Sequence, residues 1–339
     1  MSTLLPGYPE LTEQVSARPL KHVLEPSDYF FRGITRVGGI IVLAVMCLVG
    51  LFLTINAVQA ISAVGLWKFL TTQEWAPETN NFGIAALLSG TVMVAIVALI
   101  VALPLSIGTA LFITEVAKGS LQKTLTSVID LMAAVPSVVF GLWGAYMLQP
   151  VVVDFSRWLS EWFGWIPIFK VRDVDPSNPL VDTNLFTAST FIAGLVVSMM
   201  VIPLQTAMMT ETFRRAPIGE REGAFALGAT RWGMIRSVVL PFGKGGIIGG
   251  TMLGLGRALG ETIAVYLIIS PKFVVNPHIL ENGSNTVAAH IALRYGEANQ
   301  FSISALMAAG LALFALTMAI NFTASSIIAR SRSGAESEG

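Results

Sequence analysis

Charge is what this sequence has least of. Only 12% of its 339 residues are charged, and 21 acidic residues cancel 21 basic ones to a formal net charge of zero. A soluble domain carries about 25% charged residues, so a fold solvated on all sides is excluded. The neutral total argues against nucleic acid as a partner. A single cysteine, Cys47, excludes an intrachain disulfide. The three histidines, His22, His278 and His290, do not fall at metal-ligand spacings. The sequence also lacks the Gly-x4-Gly-Lys-Ser/Thr loop that cradles nucleotide phosphates. Nor is there room for a separate catalytic domain. The longest polar segments (residues 1–36, 150–184 and 211–244) hold about 35 residues each, and below about 40 a domain rarely folds alone.

What is present is apolar sequence in long runs. Residues 37–67, 79–114, 183–210 and 298–329 contain no charge at all. Residues 131–153 are also charge-free, with Asp130 just before them, and 245–271 hold only Arg257 and Glu261. A bilayer core about 30 Å thick needs about 20 apolar helical residues. The six runs therefore predict an all-α integral membrane protein with six transmembrane helices. This divides the chain into an N-terminal tail (1–36), a first span (37–67), a five-helix core (84–329) that includes the loop 211–244, and a tail (330–339).

Lys and Arg set the orientation. With the N-terminus inside, fourteen of the 21 basic residues lie on the cytoplasmic side, six of them in the loop 211–244: Arg214, Arg215, Arg221, Arg231, Arg236 and Lys244. Six lie outside and Arg257 lies within a span. Both termini are thus expected in the cytoplasm. Thirty-six mostly polar residues before the first span do not read as a cleavable signal. Trp67, Trp75, Trp158, Trp162 and Trp165 fall near the outer boundaries, where indole rings favour the membrane interface. Residues 155–165 read as a short surface helix, and 173–182 as an exposed loop. Pro104, Pro136 and Pro203 fall inside the second, third and fourth spans, where they predict bends.

Arg257 lies twelve residues past Gly245, about 18 Å along a helix and so near mid-membrane. Glu261, four residues on, projects from the same helical face. A charge at that depth costs at least about 2.5 kcal/mol, so both groups face protein or water. The pair reads either as a self-neutralising ion pair or as a station on the path of a charged solute. A guanidinium suits an oxyanion because its planar fork donates two parallel hydrogen bonds. Gly246, Gly250 and Gly254, with Gly256 and Gly260 on a second ladder, permit close helix approach and predict a central helix. Asp130 reads as a structural cap or pair.

The loop after the fourth span reads Glu222-Gly223-Ala224, three residues, Gly228, nine residues, then Val238, one residue, Leu240-Pro241. Pro217 suits a helix start, Gly228 a left-handed cap and Thr230 the next N-cap, with a stop expected near Pro241. A short helix presented this way can dock in a partner's groove.

That spacing resembles the EAA loop of ABC-importer permeases, Glu-Ala-Ala-x3-Gly-x9-Ile-x-Leu-Pro, with Gly223 and Val238 as two mild departures. Residues 28–36, 134–144 and 256–265 are similar to phosphate-importer permeases of PstC type. The resemblance implies a MetI-like, type I importer permease in a prokaryotic inner membrane. It implies that Glu222, Gly223, Ala224, Gly228, Leu240 and Pro241 couple to a separate ATPase of PstB type. ATP and Mg would then sit on that partner, leaving no cofactor and no catalytic residue here. It further implies a PstA-type sister permease, a PstS-type binding protein, and a role for Arg257 and Glu261 in phosphate passage. Sulfate or molybdate stays open as the cargo, since one arginine does not distinguish oxyanions. A proton-coupled secondary transporter is the rival from another class; it would want carboxylates or histidines along the pathway.

Overall fold

The computed structural model describes residues 26–172 and 182–332. Residues 1–25 with Arg18, Lys21 and His22, residues 173–181 of the expected exposed loop, and residues 333–339 lie outside it. The chain divides into two compact units, Met1–Val49 and Gly50–Gly339. In the first, the described residues belong to helix α1 (Pro26–Val64), and the side chains of residues 27–49 are exposed. The helix starts upstream of the charge-free run.

The second unit opens with the rest of α1 and a short helix α2 (Leu66–Thr71). A two-stranded hairpin follows, β1 (Trp75–Ala76) against β2 (Asn81–Phe82), antiparallel with Trp75 opposite Phe82. Then come α3 (Ala85–Leu111), α4 (Gly119–Ala133), α5 (Ser137–Trp143), α6 (Gln149–Phe163) and α7 (Thr190–Arg214). The last group is α8 (Ile218–Ala226), α9 (Arg231–Met234), α10 (Leu240–Gly260), α11 (Ile263–Ile268), α12 (Val287–Arg294) and α13 (Gln300–Arg332). Three π-helical turns join neighbours into longer rods: Phe112–Val116 after α3, Gly144–Leu148 between α5 and α6, and Ile235–Val239 between α9 and α10. Among the described residues, six helical stretches are long and apolar enough to cross a membrane, as the six charge-poor runs require.

Their boundaries depart furthest from the sequence reading in the third and fifth spans. The third span starts at Ser137 and runs to Phe163. Pro136 is therefore the residue preceding α5, not a kink inside a span, and Asp130 sits exposed on the separate amphipathic helix α4. Residues 155–163 continue that span through α6 instead of forming a separate surface helix. The fifth span starts at Arg231, fourteen residues earlier than the charge-poor run 245–271, and ends at Gly260. The helix does not stop near Pro241. Pro241 lies where the π turn Ile235–Val239 gives way to α10, and the change in hydrogen-bond register at such a turn accommodates the missing N–H. Pro104 and Pro203 do lie inside α3 and α7.

The centre of the bundle is α7, not the glycine-rich helix. Of its apolar window 61% is buried, against 22% for the span containing α10. The main core lies between α3 and α7 and takes in Leu259, Ala264, Val265 and Ile268. A second core joins Ala57, Ala60, Phe69, Phe82 and Leu87 to Ala305, Ala308 and Ala309 of α13. There Ser304 Oγ accepts from Ala60 N (3.1 Å) and donates to Asn56 O (2.5 Å). Trp75 belongs to this region, edge-on to Phe82 and His290, so it is a packed residue; Trp67 and Trp165 are exposed.

One of the two glycine ladders packs. A methyl at Gly254 would press into Gln205 and Val201 of α7, and one at Gly246 into Thr212, whereas Gly256 and Gly260 face open space. Gly254→Val should therefore destabilise the bundle by about 1–3 kcal/mol through overpacking. Gly256→Ala should hold or raise stability. Thermal unfolding of the two variants in detergent checks the contrast, and an equal melting temperature for both would contradict this packing.

Candidate functional site

The glycines of α10 decide where the charged pair sits. Each interior glycine weakens a helix by about 1 kcal/mol relative to alanine, and α10 ends at Gly260. Glu261 then takes an extended backbone (φ −67°, ψ 126°), and the chain re-enters a helix at Ile263. Arg257 thus stands in the last turn of α10, and Glu261 lies beyond its end. They do not share one continuous helical face. Among the described residues they do not form an ion pair with each other. The buried Glu261 turns to the next helix instead: its Oε1 accepts from Ala264 N at 3.3 Å. A membrane helix broken in this way must satisfy its freed backbone groups within protein or a water-filled cavity. This break is at the core, beside buried Leu259 and Ala264.

Arg257 opens into a cleft of about 590 Å³ between α7, α10 and α13. It is lined by Leu204, Met208, Gly249, Met252, Leu253, Gly256, Arg257 and Asn321. All but Arg257 and Asn321 are apolar or glycine. The guanidinium's Nε atom is buried with no hydrogen-bond partner. A buried donor left unpaired is costly, and the group is a cation with its donors unspent, standing in an apolar cleft. An anion satisfies both conditions. Asn321 is the residue in this cleft that sequence reading missed, since nothing marks it out within the sixth apolar run.

The loop 211–244 forms the second candidate region. Pro217 precedes α8 as its N-cap, and Thr230 Oγ1 accepts from Gly233 N at 3.1 Å to start α9. Gly228 is left-handed at φ +82°. Glu222, Gly223, Gly228 and Pro241 are exposed. Ala224 and Leu240 are half-buried against Met209, Phe213, Met234 and Val239. Ile218, Leu227 and Trp232 are large apolar side chains exposed on the same loop. Arg257 stands apart from this region: from Leu240 it is seventeen residues along α10, about 25 Å. A methyl at Gly223 meets nothing within 4 Å. Gly223→Ala should therefore firm α8 by up to about 1 kcal/mol. Thermal unfolding in detergent checks this, and a lower melting temperature would contradict it.

At the other end of the spans, the segments after α6 and α11 are tied together. Arg172 donates to both carboxylate oxygens of Glu281, from Nε at 3.1 Å and Nη2 at 3.0 Å. Burial raises the Glu281 pKa, but the bonds from Arg172 and Asn276 more than offset it, and the carboxyl is held below its ordinary value. His290 is enclosed by Trp75 and Phe273. Burial, with a smaller effect of Arg294's charge, pushes it down to about 4, so its ring is neutral at ordinary pH.

Comparison with known proteins accords with this geometry. Residues 102–333 match the family model for the binding-protein-dependent transport system inner membrane component. The chain is 36% identical over 320 residues to the phosphate transport system permease protein PstC of Xylella fastidiosa strain Temecula1, covering 94% of each. It is 36% identical over 293 residues to PstC 2 of Mycobacterium tuberculosis, covering 86% of this chain and 88% of that one. In fold it is similar to the crystal structure of a bacterial ABC transporter involved in import of the acidic polysaccharide alginate. There the TM-score is 0.56 at 18% identity, covering 89% of this chain and 99% of that chain. The chain belongs to the binding-protein-dependent transport system inner membrane components, among their PstC-type permeases.

Proposed function

We propose that this chain forms one half of the translocation pathway of an ATP-driven inorganic phosphate importer. The observation that carries the reading is the unspent guanidinium of Arg257 in its apolar cleft, on a chain whose relatives are phosphate permeases. The cleft is open on one side, and of the two glycine ladders of α10 only the α7-facing one is packed. A sister permease of PstA type would close the open side. Transporters place their substrates at discontinuous helices, and the helix is discontinuous between α10 and α11, at Glu261–Thr262. Glu261 caps the short helix α11, and its negative charge near Arg257 keeps the anion from being held too tightly to leave.

In this reading α8, Gly228 and the approach to Pro241 face the cytoplasm and seat an ATPase of PstB type. Both termini lie on that side. A phosphate-loaded PstS-type binding protein docks on the opposite face, and the membrane is a prokaryotic inner membrane. No covalent bond is made or broken on this chain. ATP and Mg belong to the ATPase.

The test is reconstitution. The chain, its sister permease, the ATPase and the binding protein are placed in proteoliposomes, and uptake of labelled phosphate is measured with and without internal ATP. ATP-dependent uptake that excess sulfate leaves intact is the expected result. Equal competition by sulfate or molybdate would shift the cargo. Uptake that survives without ATP but collapses with an uncoupler would replace the reading by proton-coupled transport. The neutral His290 and the scarcity of carboxylates in the spans speak against that rival.

A further inference from the structure

Coupling loops transmit force only if they are fastened to what they are meant to move. None of the nine residues of α8 is fully buried, and the residue it packs into the apolar cluster at this end of the bundle is Ala224. A helix so exposed needs a further tie if its movement is to reach the spans. One side chain supplies such a tie. Arg221, in the middle of α8, extends its guanidinium into the end of the bundle. Its Nη1 lies 2.9 Å from the Glu115 carboxylate, and its Nη2 donates to the backbone carbonyl of Phe213 at 2.6 Å. The Glu115 side chain is 5% exposed and that of Arg221 19%. Glu115 sits on the π turn Phe112–Val116 that ends the second span, and Phe213 belongs to α7, the central helix.

We infer that the Glu115–Arg221 pair is the fixture that passes movement of the coupling helix to the second and fourth spans, with Arg221 and Glu115 as positioning residues for transport. The inference rests on the reading of this chain as an ATPase-driven permease. The chemistry is that of a buried fork: guanidinium donors to a carboxylate are short and directional, and removing either partner strands a charge away from water. Displacement of α8 is therefore delivered to both spans together. From α7 it reaches α10 through the packed seam at Gly246, Gly250 and Gly254, and so the turn that carries Arg257. Neither residue touches the cleft, and Glu115 lies outside the loop's exposed face.

The discriminating quantity is phosphate translocated per ATP hydrolysed, measured in the assembled complex so that yield does not enter. Glu115→Gln should keep the ATPase bound and turning over while this ratio falls roughly ten-fold, within the range of coupling changes seen for residues that contact neither ligand. Arg221→Lys keeps the positive charge, but one compact ammonium cannot fork to both Glu115 and the Phe213 carbonyl; its ratio should fall between the two. A purely structural pair would lower yield in both variants and leave the ratio alone. An unchanged ratio in both overturns the inference, while wild-type ATP-driven uptake still stands. A wild-type chain that recruits no ATPase overturns the parent reading and the inference with it.

Discussion

Arg257→Gln should lower phosphate uptake roughly ten- to a hundredfold, with the complex still assembled. A hydrogen bond to a charged group contributes about 1.5–3 kcal/mol, and glutamine keeps the length of the side chain but neither its charge nor its fork. Arg257 also stands in the last turn of α10, where a cation complements the exposed carbonyls of the helix end by about 0.3–1 kcal/mol. The two roles separate cleanly by substitution. If Arg257 only complements the helix end, Arg257→Lys restores everything and Arg257→Gln costs a little stability but no transport. If it receives the anion, lysine recovers only part of the rate, since a point charge does not reproduce bidentate geometry. Initial rates of labelled phosphate uptake, normalised to co-purified ATPase, decide between them. Wild-type rates for Arg257→Gln would remove the anion contact from the proposed mechanism.

The six spans were legible because the bilayer imposes its own length on sequence, and a run without charge is hard to mistake. Their ends were less so. A charge-free run stops at the first charge, whereas a helix continues wherever its backbone is paired. Asp154, Arg157 and Glu161 therefore sit on the extension of the third span. The break after Gly260 was invisible to spacing alone, because a four-residue interval implies a shared face only while the helix persists. The turn chemistry of the loop 211–244 was readable at Pro217, Gly228 and Thr230, which start or end helices as expected, but not at Pro241, where the helix continues. The Glu115–Arg221 contact was not readable. Its partners lie 106 residues apart, and no local rule links the end of the second span to the middle of a loop helix. Gly250 and Gly254 did mark a close approach, but to α7, so small residues indicated the seam and not the centre.

Gly228→Val should strip the ATPase from the complex, and the reason is conformational. Gly228 ends α8 in the left-handed region, and two hydrogen bonds close the helix around it. Its own N–H donates to Phe225 O at 2.9 Å, and the N–H of Ala229 donates to Ala224 O at 3.0 Å. This pairing is the Schellman arrangement, in which the left-handed residue is usually glycine because a Cβ there crowds the backbone. A Cβ at Gly228 meets no other atom within 4 Å, so the penalty is torsional, not steric against neighbours. Holding an ordinary L-residue left-handed costs about 1–2 kcal/mol, and a β-branched one is a genuine outlier. The loop escapes by abandoning the turn, which re-aims α9, with its exposed Trp232, relative to α8 and its exposed Ile218. The expected order for ATPase retained per permease is glycine, then asparagine close behind, then alanine, then valine. Retention in the valine variant should fall on the order of ten-fold or more, since 1.4 kcal/mol is a factor of ten in an equilibrium. Asparagine is the informative control. It tolerates the left-handed conformation while adding a polar side chain of valine's approximate size. Loss with asparagine equal to that with valine would mean the partner needs the bare glycine surface, and retention with valine would mean the turn does not aim the loop.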